Sequence, residues 1–257
     1  VEPFVTALRR RETYLGYARE AISFAKCAAR YPLGLVEAGI RAGRPSGEAA
    51  LDTPVLLVHG FGHNRSGWFV LSQHLRDAGF TSVHTMNYDP FRYDVPELAA
   101  ALRDRVDLLR DITGSDRVHV VGHSLGGILL RWYVQELGGD EAVATAVTVA
   151  SPHHGTRLAS FMPGRTTRIA AELAPGSWLL RRLDRSARPS AVRWFAFYSN
   201  LDFFVQPGSS AMITNPALAA TNVFVKDVGH LSIMLSSRMA SGVVAAIQAS
   251  ADLEAAS

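Results

Sequence analysis

The sequence predicts an α/β protein: a doubly wound, mostly parallel sheet of about six strands with helices on both faces. Three observations lead there. From residue 54 onward, short apolar runs alternate with amphipathic stretches of helical period, the rhythm of repeated strand–helix crossovers. The runs Pro54–Val58 and Val143–Ala150 are apolar almost without interruption, as strands covered on both faces must be. The helical stretches also carry start and stop signals, with Asp94 as an N-cap, Pro96 in the first turn and Gly114 at the end of one of them.

In chain order, residues 4–30 read as a helix because Tyr14, Tyr17, Ala21, Phe24 and Ala28 recur at steps of three and four. Pro32 and Gly34 punctuate its end, and the segment Gly43–Gly47 reads as a linker. Residues 1–50 therefore form an N-terminal helical extension and 51–257 the main domain. Within that domain a strand over 54–58 precedes a helix over 66–78 and a weaker strand over 82–87. The helix from Pro96 sets Leu98, Leu102, Arg105, Leu109 and Ile112 on one side. A strand over 117–121 leads to a helix over 125–137, closed by Gly138-Gly139, and then to the strand 143–150. Two further strands read at Trp194–Ser199 and Asn222–Lys226. A last helix covers 233–249, with Leu235, Met239, Val243 and Ile247 four apart. Roughly forty residues separate the strands at 143–150 and 194–199, well beyond an ordinary connection. This insertion, 153–192, holds the helix-like Arg168–Ala174 and the apolar-basic Trp178–Arg182, and reads as a lid or cap.

Composition narrows the function classes. With 48% hydrophobic and 19% charged residues the chain is globular rather than disordered. Cys27 is its one cysteine, so neither an internal disulfide nor a cysteine-built zinc site is available. The net charge of +3 comes from arginines scattered among the acids, with Lys26 and Lys226 the only lysines. That pattern describes a solvated surface rather than a nucleic-acid footprint. Val1 to Arg30 is charged throughout and lacks the apolar segment of a signal peptide. A soluble protein is expected, cytoplasmic or secreted after removal of a signal preceding Val1.

The chemistry concentrates at Gly122-His123-Ser124-Leu125-Gly126, directly after a strand and directly before a helix. That context makes a G-x-S-x-G match informative: it puts a serine on a sharp turn above the sheet, with glycines where side chains would collide. A serine hydroxyl needs a base within reach and the base needs an orienting acid. His230 follows the strand 222–226 and Asp202 follows the strand 194–199, so both sit where loops can present them beside Ser124. Asp227 is the runner-up acid. His153 and His154 precede Asp202 and are expected to brace the insertion, and His59 and His123 to be structural. Gly229 is expected to free the turn before His230. The negative charge that develops on a carbonyl oxygen would be met by two backbone N–H groups, those of Phe61 in the glycine-flanked loop after the first core strand and of Leu125. Apolar wall positions for a substrate are Phe61, Phe161, Met162, Trp178, Leu179, Phe203 and Val205, with Leu125 beside them. No metal site is expected, because the histidines offer no i, i+4 pair with a glutamate.

Five blocks make the chain resemble the α/β-hydrolases, and among them the small bacterial lipases: VHGFGHN at 58–64, VVGHSLGG at 120–127, ASPHHGT at 150–156, FYSNLDFFV at 197–205 and DVGHLSIMLSS at 227–237. The resemblance implies hydrolysis of a small-molecule or lipid carboxylic ester through an acyl-serine, without a cofactor. Ser124 then acts as nucleophile, Asp202 as acid and His230 as base, with Phe61 and Leu125 at the oxyanion. The helix 4–30 and the length of the insertion depart from the smallest members. The same triad would serve a thioesterase, amidase, acyltransferase or polyester depolymerase. A non-catalytic protein binding membrane surfaces through Arg9–Arg11 and the first helix is the competing class.

Overall fold

The computed structural model describes residues 11–36, 39, 43, 46–47, 49–161 and 168–254. Its strands are β1 (Val55–Val58), β2 (Val83–Met86), β3 (Val118–His123), β4 (Val143–Val149), β5 (Arg193–Ser199) and β6 (Thr221–Val225). Its helices are α1 (Arg11–Arg30), α2 (Ala49–Asp52), α3 (Phe69–Asp77), α4 (Val95–Thr113), α5 (Leu125–Glu136), α6 (Arg157–Phe161), α7 (Arg168–Glu172), α8 (Trp178–Arg185) and α9 (Ser237–Glu254).

The strands form one sheet in the order β2-β1-β3-β4-β5-β6, and every pair is parallel. The chain winds outward from β1 in one direction to β2 and in the other from β3 onward. The carboxyl ends of β1 and β3 therefore open side by side at the point where the winding reverses, the usual place for a ligand. Val58 pairs with Gly122 there, so the loop after β1 faces the turn after β3.

Strands β1, β3 and β4 are buried along their whole length, which explains the wholly apolar β1 and the mostly β-branched and apolar β3 and β4, where His119, His123, Thr145 and Thr148 are buried too. Alternate residues serve opposite layers. Leu56, Val58 and Val120 pack with Leu98, Leu102, Val106 and Leu109 of α4 and Ile128 of α5. Val55, Leu57 and Val121 pack with Leu71 and Leu75 of α3 and Met239, Val243 and Ile247 of α9.

Helix α4 begins with a capping box in which Asp94 and Glu97 each accept the other's backbone N–H, and it ends at Gly114 in the left-handed region, φ 67°. Its buried face runs through Val106, while Ile112, expected inside, is 42% exposed. The last helix starts at Ser237, not 233, because Leu231–Met234 forms a tight turn held by Ile233 N–H to Gly229 O (3.1 Å) and Met234 N–H to Leu231 O (3.1 Å). Leu235 thus precedes the helix.

Residues 4–10 of the expected first helix lie outside the described residues, as do 44 and 45 of the expected linker. The inward face of α1 is not the aromatic one. Thr13, Ser23 and Cys27 are buried, while Tyr14 and Phe24 are 64% and 63% exposed. Gly16 is buried as well, and a β-carbon there would collide with Leu201. Downstream of α1 the chain is tied to the loop after β1 and to the end of β2. Asn64 donates to Tyr31 O (2.9 Å), Arg65 to Leu33 O (3.1 Å) and Val36 O (2.6 Å), and Asn87 to Gly34 O (2.7 Å). The insertion folds into α6, α7 and α8, and Arg182 of α8 grips Glu136 of α5 through three short N–H···O contacts of 2.8–3.1 Å. No helix among the described residues is long and apolar enough to cross a membrane.

Candidate active site

Ser124 occupies the turn between β3 and α5 with φ 52° and ψ −117°, a conformation that costs an L-residue on the order of 1–3 kcal/mol and persists only where the surroundings enforce it. They do: the Ser124 N–H is held by Val149 O at 2.8 Å. The neighbouring glycines are required by contact. A β-carbon on Gly122 would lie 2.5 Å from the backbone of Gly126 and Gly127, one on Gly126 would strike the carbonyl oxygens of Val58 and His59, and one on Gly127 would strike Ser151.

His230 and Asp202 stand on the loops after β6 and β5, 6% and 2% exposed. The Asp202 carboxylate is fully engaged. Oδ1 accepts the N–H groups of Phe204 and Val205, each at 2.8 Å, and Oδ2 lies 2.8 Å from His230 Nδ1. A carboxylate only accepts, so Nδ1 carries the proton and Nε2 keeps a free lone pair. Beneath the loop, His123 Nε2 lies 3.0 Å from the His230 carbonyl oxygen, to which it donates. Asp227 faces elsewhere: its carboxylate accepts from Asn200 (3.1 Å) and lies 3.8 Å from Lys226.

Electrostatics separate the histidines around the serine. Burial alone would lower the basicity of His230, but the charge and hydrogen bond of Asp202, with the charge of Glu20, outweigh it and raise its pKa above the ordinary value. Burial pushes His59 down to about 4 and lowers His63 and His123. His59 stacks flat on Tyr88 with ring centres 4.1 Å apart. His153 bonds Thr148 (3.0 Å) inside the fold, and His154 bonds Thr214 (2.9 Å) at the surface.

Ser124 and His230 line one cavity of about 640 Å³ whose walls are almost wholly apolar. Phe61 and Val205 stand in that wall. Phe203 does not; it tilts against Tyr17 with ring centres 5.5 Å apart, and Phe204 takes the wall position, its ring 5.0 Å from that of His230. Two other expected wall residues are corrected by their packing. Leu179 is fully buried in the core, and Trp178 packs edge-on against Trp132 at 5.7 Å. The Leu125 side chain is likewise core, while its N–H opens α5. The Phe161 side chain and Met162 lie outside the described residues. The walls that sequence reasoning missed come from α1, through Phe24, Cys27 and Ala28, and from the insertion, through Leu158, Ile169 and Leu173. Their signal was apolar spacing on helices, which core packing produces equally well. Gly60 lets its loop abut the serine turn, since a β-carbon there would lie 3.0 Å from Ser124 Cβ and 2.8 Å from His123 Nδ1. Among the described residues no three His, Cys, Asp or Glu side chains are placed to hold a metal ion.

Comparison with known proteins bears on the fold and the family. A triacylglycerol lipase of Pseudomonas fragi is 32% identical over 126 residues, 44% of this chain and 40% of that protein. One of Pseudarthrobacter phenanthrenivorans is 30% identical over 122 residues, 44% of this chain and 37% of that protein. The chain thus spans about two fifths of the length of these curated relatives. Among solved structures, the mature form of Bacillus licheniformis lipase BlEst2 matches with a TM-score of 0.64 at 18% identity, over 84% of this chain and 96% of that one, a likeness of fold. The family model for the alpha/beta hydrolase fold matches residues 53–221, from just before β1 to the first residue of β6. With the reversal point, the strained serine turn and that match all in one sheet, the chain belongs to the α/β-hydrolase fold family.

Proposed function

We propose that this chain is a serine hydrolase that cleaves carboxylic esters, in the manner of a lipase or esterase, with residues 51–257 as its catalytic domain, 153–192 as the cap and 1–50 as a helical extension. The observation that carries the reading is the buried His230–Asp202 pair on the same apolar cavity as Ser124.

In this reading Ser124 Oγ attacks the ester carbonyl as His230 Nε2 takes its proton, and Asp202 stabilises the imidazolium. The oxyanion is met by the N–H groups of Phe61 and Leu125, each contributing about 3 kcal/mol. His230 returns its proton to the leaving alkoxide oxygen, releasing the alcohol. Water, deprotonated by the same nitrogen, then attacks the acyl-serine and frees the acid and the hydroxyl. No step asks for a cofactor. The apolar walls favour an acyl chain over a charged group. Fluorophosphonate labelling is the test: Ser124 is modified in the wild type, and Ser124→Ala is unlabelled and inactive while folded. Labelling elsewhere, or full activity of Ser124→Ala, overturns the reading. Turnover of p-nitrophenyl esters, acyl-CoA and emulsified triglyceride separates an esterase or lipase from a thioesterase or acyltransferase.

A lipid surface as transient partner is supported by the rim. Phe24, Tyr31, Leu158 and Phe204 line the cavity, yet each remains more than a third exposed. Sedimentation with phosphatidylcholine vesicles tests it, and absence of binding at all salt concentrations removes it.

A further inference from the structure

One carboxylate that the proposed chemistry leaves unused reaches the His230 loop from the N-terminal helix. Glu20 Oε1 accepts the Leu231 N–H at 2.7 Å and Oε2 the Ser232 N–H at 2.8 Å. Gly229 admits it, since a β-carbon there would lie 2.5 Å from Oε2 and 2.6 Å from Cδ of Glu20. Close approach of the helix is secured one turn earlier by Gly16, which packs on Leu201 beside Asp202. The loop is tied elsewhere by the Gly229 N–H to Ser232 Oγ (2.7 Å) and by His123 Nε2 to the His230 carbonyl (3.0 Å). Glu20 thus supplies the acceptor for two successive N–H groups directly after the histidine.

We propose that Glu20 is a positioning residue for His230: it clamps the loop so that the imidazole stays aligned with Asp202 and Ser124, and its charge favours the imidazolium that forms during proton transfer. The inference rests on the reading of His230 as the base. Two features make the charge relevant. The groups facing His230 are Asp202 from the loop after β5, Glu20 from α1, His123 from β3 and His63 from the loop after β1. Burial holds the last two histidines toward neutrality, so the carboxylates dominate the local field. Glu20 also belongs to the set that raises the basicity of His230, after Asp202. A bond to the loop backbone alone would explain order; charge beside a group that must ionise adds a chemical effect.

The test compares Glu20→Gln, Glu20→Asp and Glu20→Ala in the full chain. Readouts are kcat and KM for p-nitrophenyl butyrate across pH, and the titration of His230 by nitrogen-15 NMR. Glu20→Gln keeps one acceptor and the volume but not the charge. Its kcat should fall on the order of tenfold to a hundredfold with KM within about twofold, the scale of a misplaced catalytic group. A base must be neutral to act, so loss of the charge lowers the pKa of His230 and moves the acid limb of the rate profile to lower pH. Glu20→Asp should retain the acid limb while losing rate through its shorter reach. Unchanged kcat in Glu20→Gln overturns the proposal, as does a rate loss with an unmoved His230 titration, which marks a purely structural role. If Glu20→Ala does not fold, Glu20→Gln decides alone. Should the wild type hydrolyse no ester, the proposed function fails, and the NMR titration still judges the coupling of Glu20 to His230.

Discussion

Replacing Asp202 by asparagine keeps the side-chain volume and removes one charge, and the surrounding backbone dictates how the amide must sit. Oδ1 of Asp202 accepts two N–H groups, from Phe204 and Val205, at 2.8 Å each. An amide NH₂ in that position would face two donors, so the amide oxygen takes it and the NH₂ turns toward His230 Nδ1. An NH₂ group only donates, so Nδ1 must give up its proton and the neutral ring carries it on Nε2 instead. In the proposed mechanism Nε2 is the atom that accepts the proton of Ser124. The variant therefore retains the fold and loses the base. A wrong tautomer in such a triad lowers kcat by about 10⁴, equivalent to about 5 kcal/mol of transition-state stabilisation. The assay is kcat for p-nitrophenyl butyrate near neutral pH beside a melting curve, which should stay within a few degrees of wild type. Asp227→Asn is the control. Asp227 bonds Asn200 and sits at φ 60°, which asparagine tolerates, so activity should be unchanged. More than a tenth of the wild-type kcat in Asp202→Asn, or a greater loss in Asp227→Asn, refutes the assignment.

Gly126→Ala should be strongly destabilising, on the order of 3 kcal/mol, because its β-carbon meets the carbonyl oxygens of Val58 and His59, which belong to a buried strand end and cannot yield; urea unfolding measures it, and a loss below about 1 kcal/mol contradicts the packing. Acid should weaken the fold well above the carboxylate range. His59 and His119 are held by burial at about 4 in the native state, against about 6.5 when unfolded. As pH falls through that window the unfolded chain binds protons first, so near pH 5 each histidine removes about 2 kcal/mol of stability. His230 acts in the opposite sense: its raised pKa contributes stability that is fully present at low pH and lost as pH rises through its folded value. The buried neutral histidines outnumber it, so the melting temperature should drop by about 10 °C between pH 7 and pH 5. A flat profile would show that those rings are hydrated.

The central sheet was legible because its strands are buried on both faces, and continuous β-branched and apolar runs are what such burial selects. β2 was fainter because its residues are only half buried near the sheet edge, and polar His84 and Thr85 are tolerated there. The glycines of the serine turn were legible for the reason the sequence suggests, since each lies against backbone or a fixed side chain. The cavity wall was not. Phe203 and Phe204 are adjacent, and the choice between them is made by the Asp202 turn, whose Oδ1 captures the N–H groups of Phe204 and Val205. Leu179 follows core logic: with Leu180 and Leu183 it forms the buried face of α8, so its apolarity reports packing rather than a substrate. Gly229 read as a turn glycine, yet it is not among the positive-φ residues; it is small because Glu20 must pass.

The inward face of the first helix was not legible, for a related reason. Hydrophobic periodicity finds the buried face of a helix only when large apolar side chains fill the contact. In α1 the inward positions Thr13, Gly16, Glu20, Ser23 and Cys27 are spaced by three and four, the same period written in small and polar residues. Small side chains bring a helix axis close to its neighbour, and only a close helix can place a carboxylate on the backbone of a loop. A row of leucines there would bury more area and hold the helix off by the length of a side chain, beyond the reach of Glu20 to Leu231 and Ser232. The aromatic residues that the periodicity picked out are left on the other side, where Tyr14 stays exposed and Phe24 reaches the cavity. The extension is thus bound to the fold at two points of the proposed site, wall and histidine loop, by a contact in which closeness, not area, is the quantity selected.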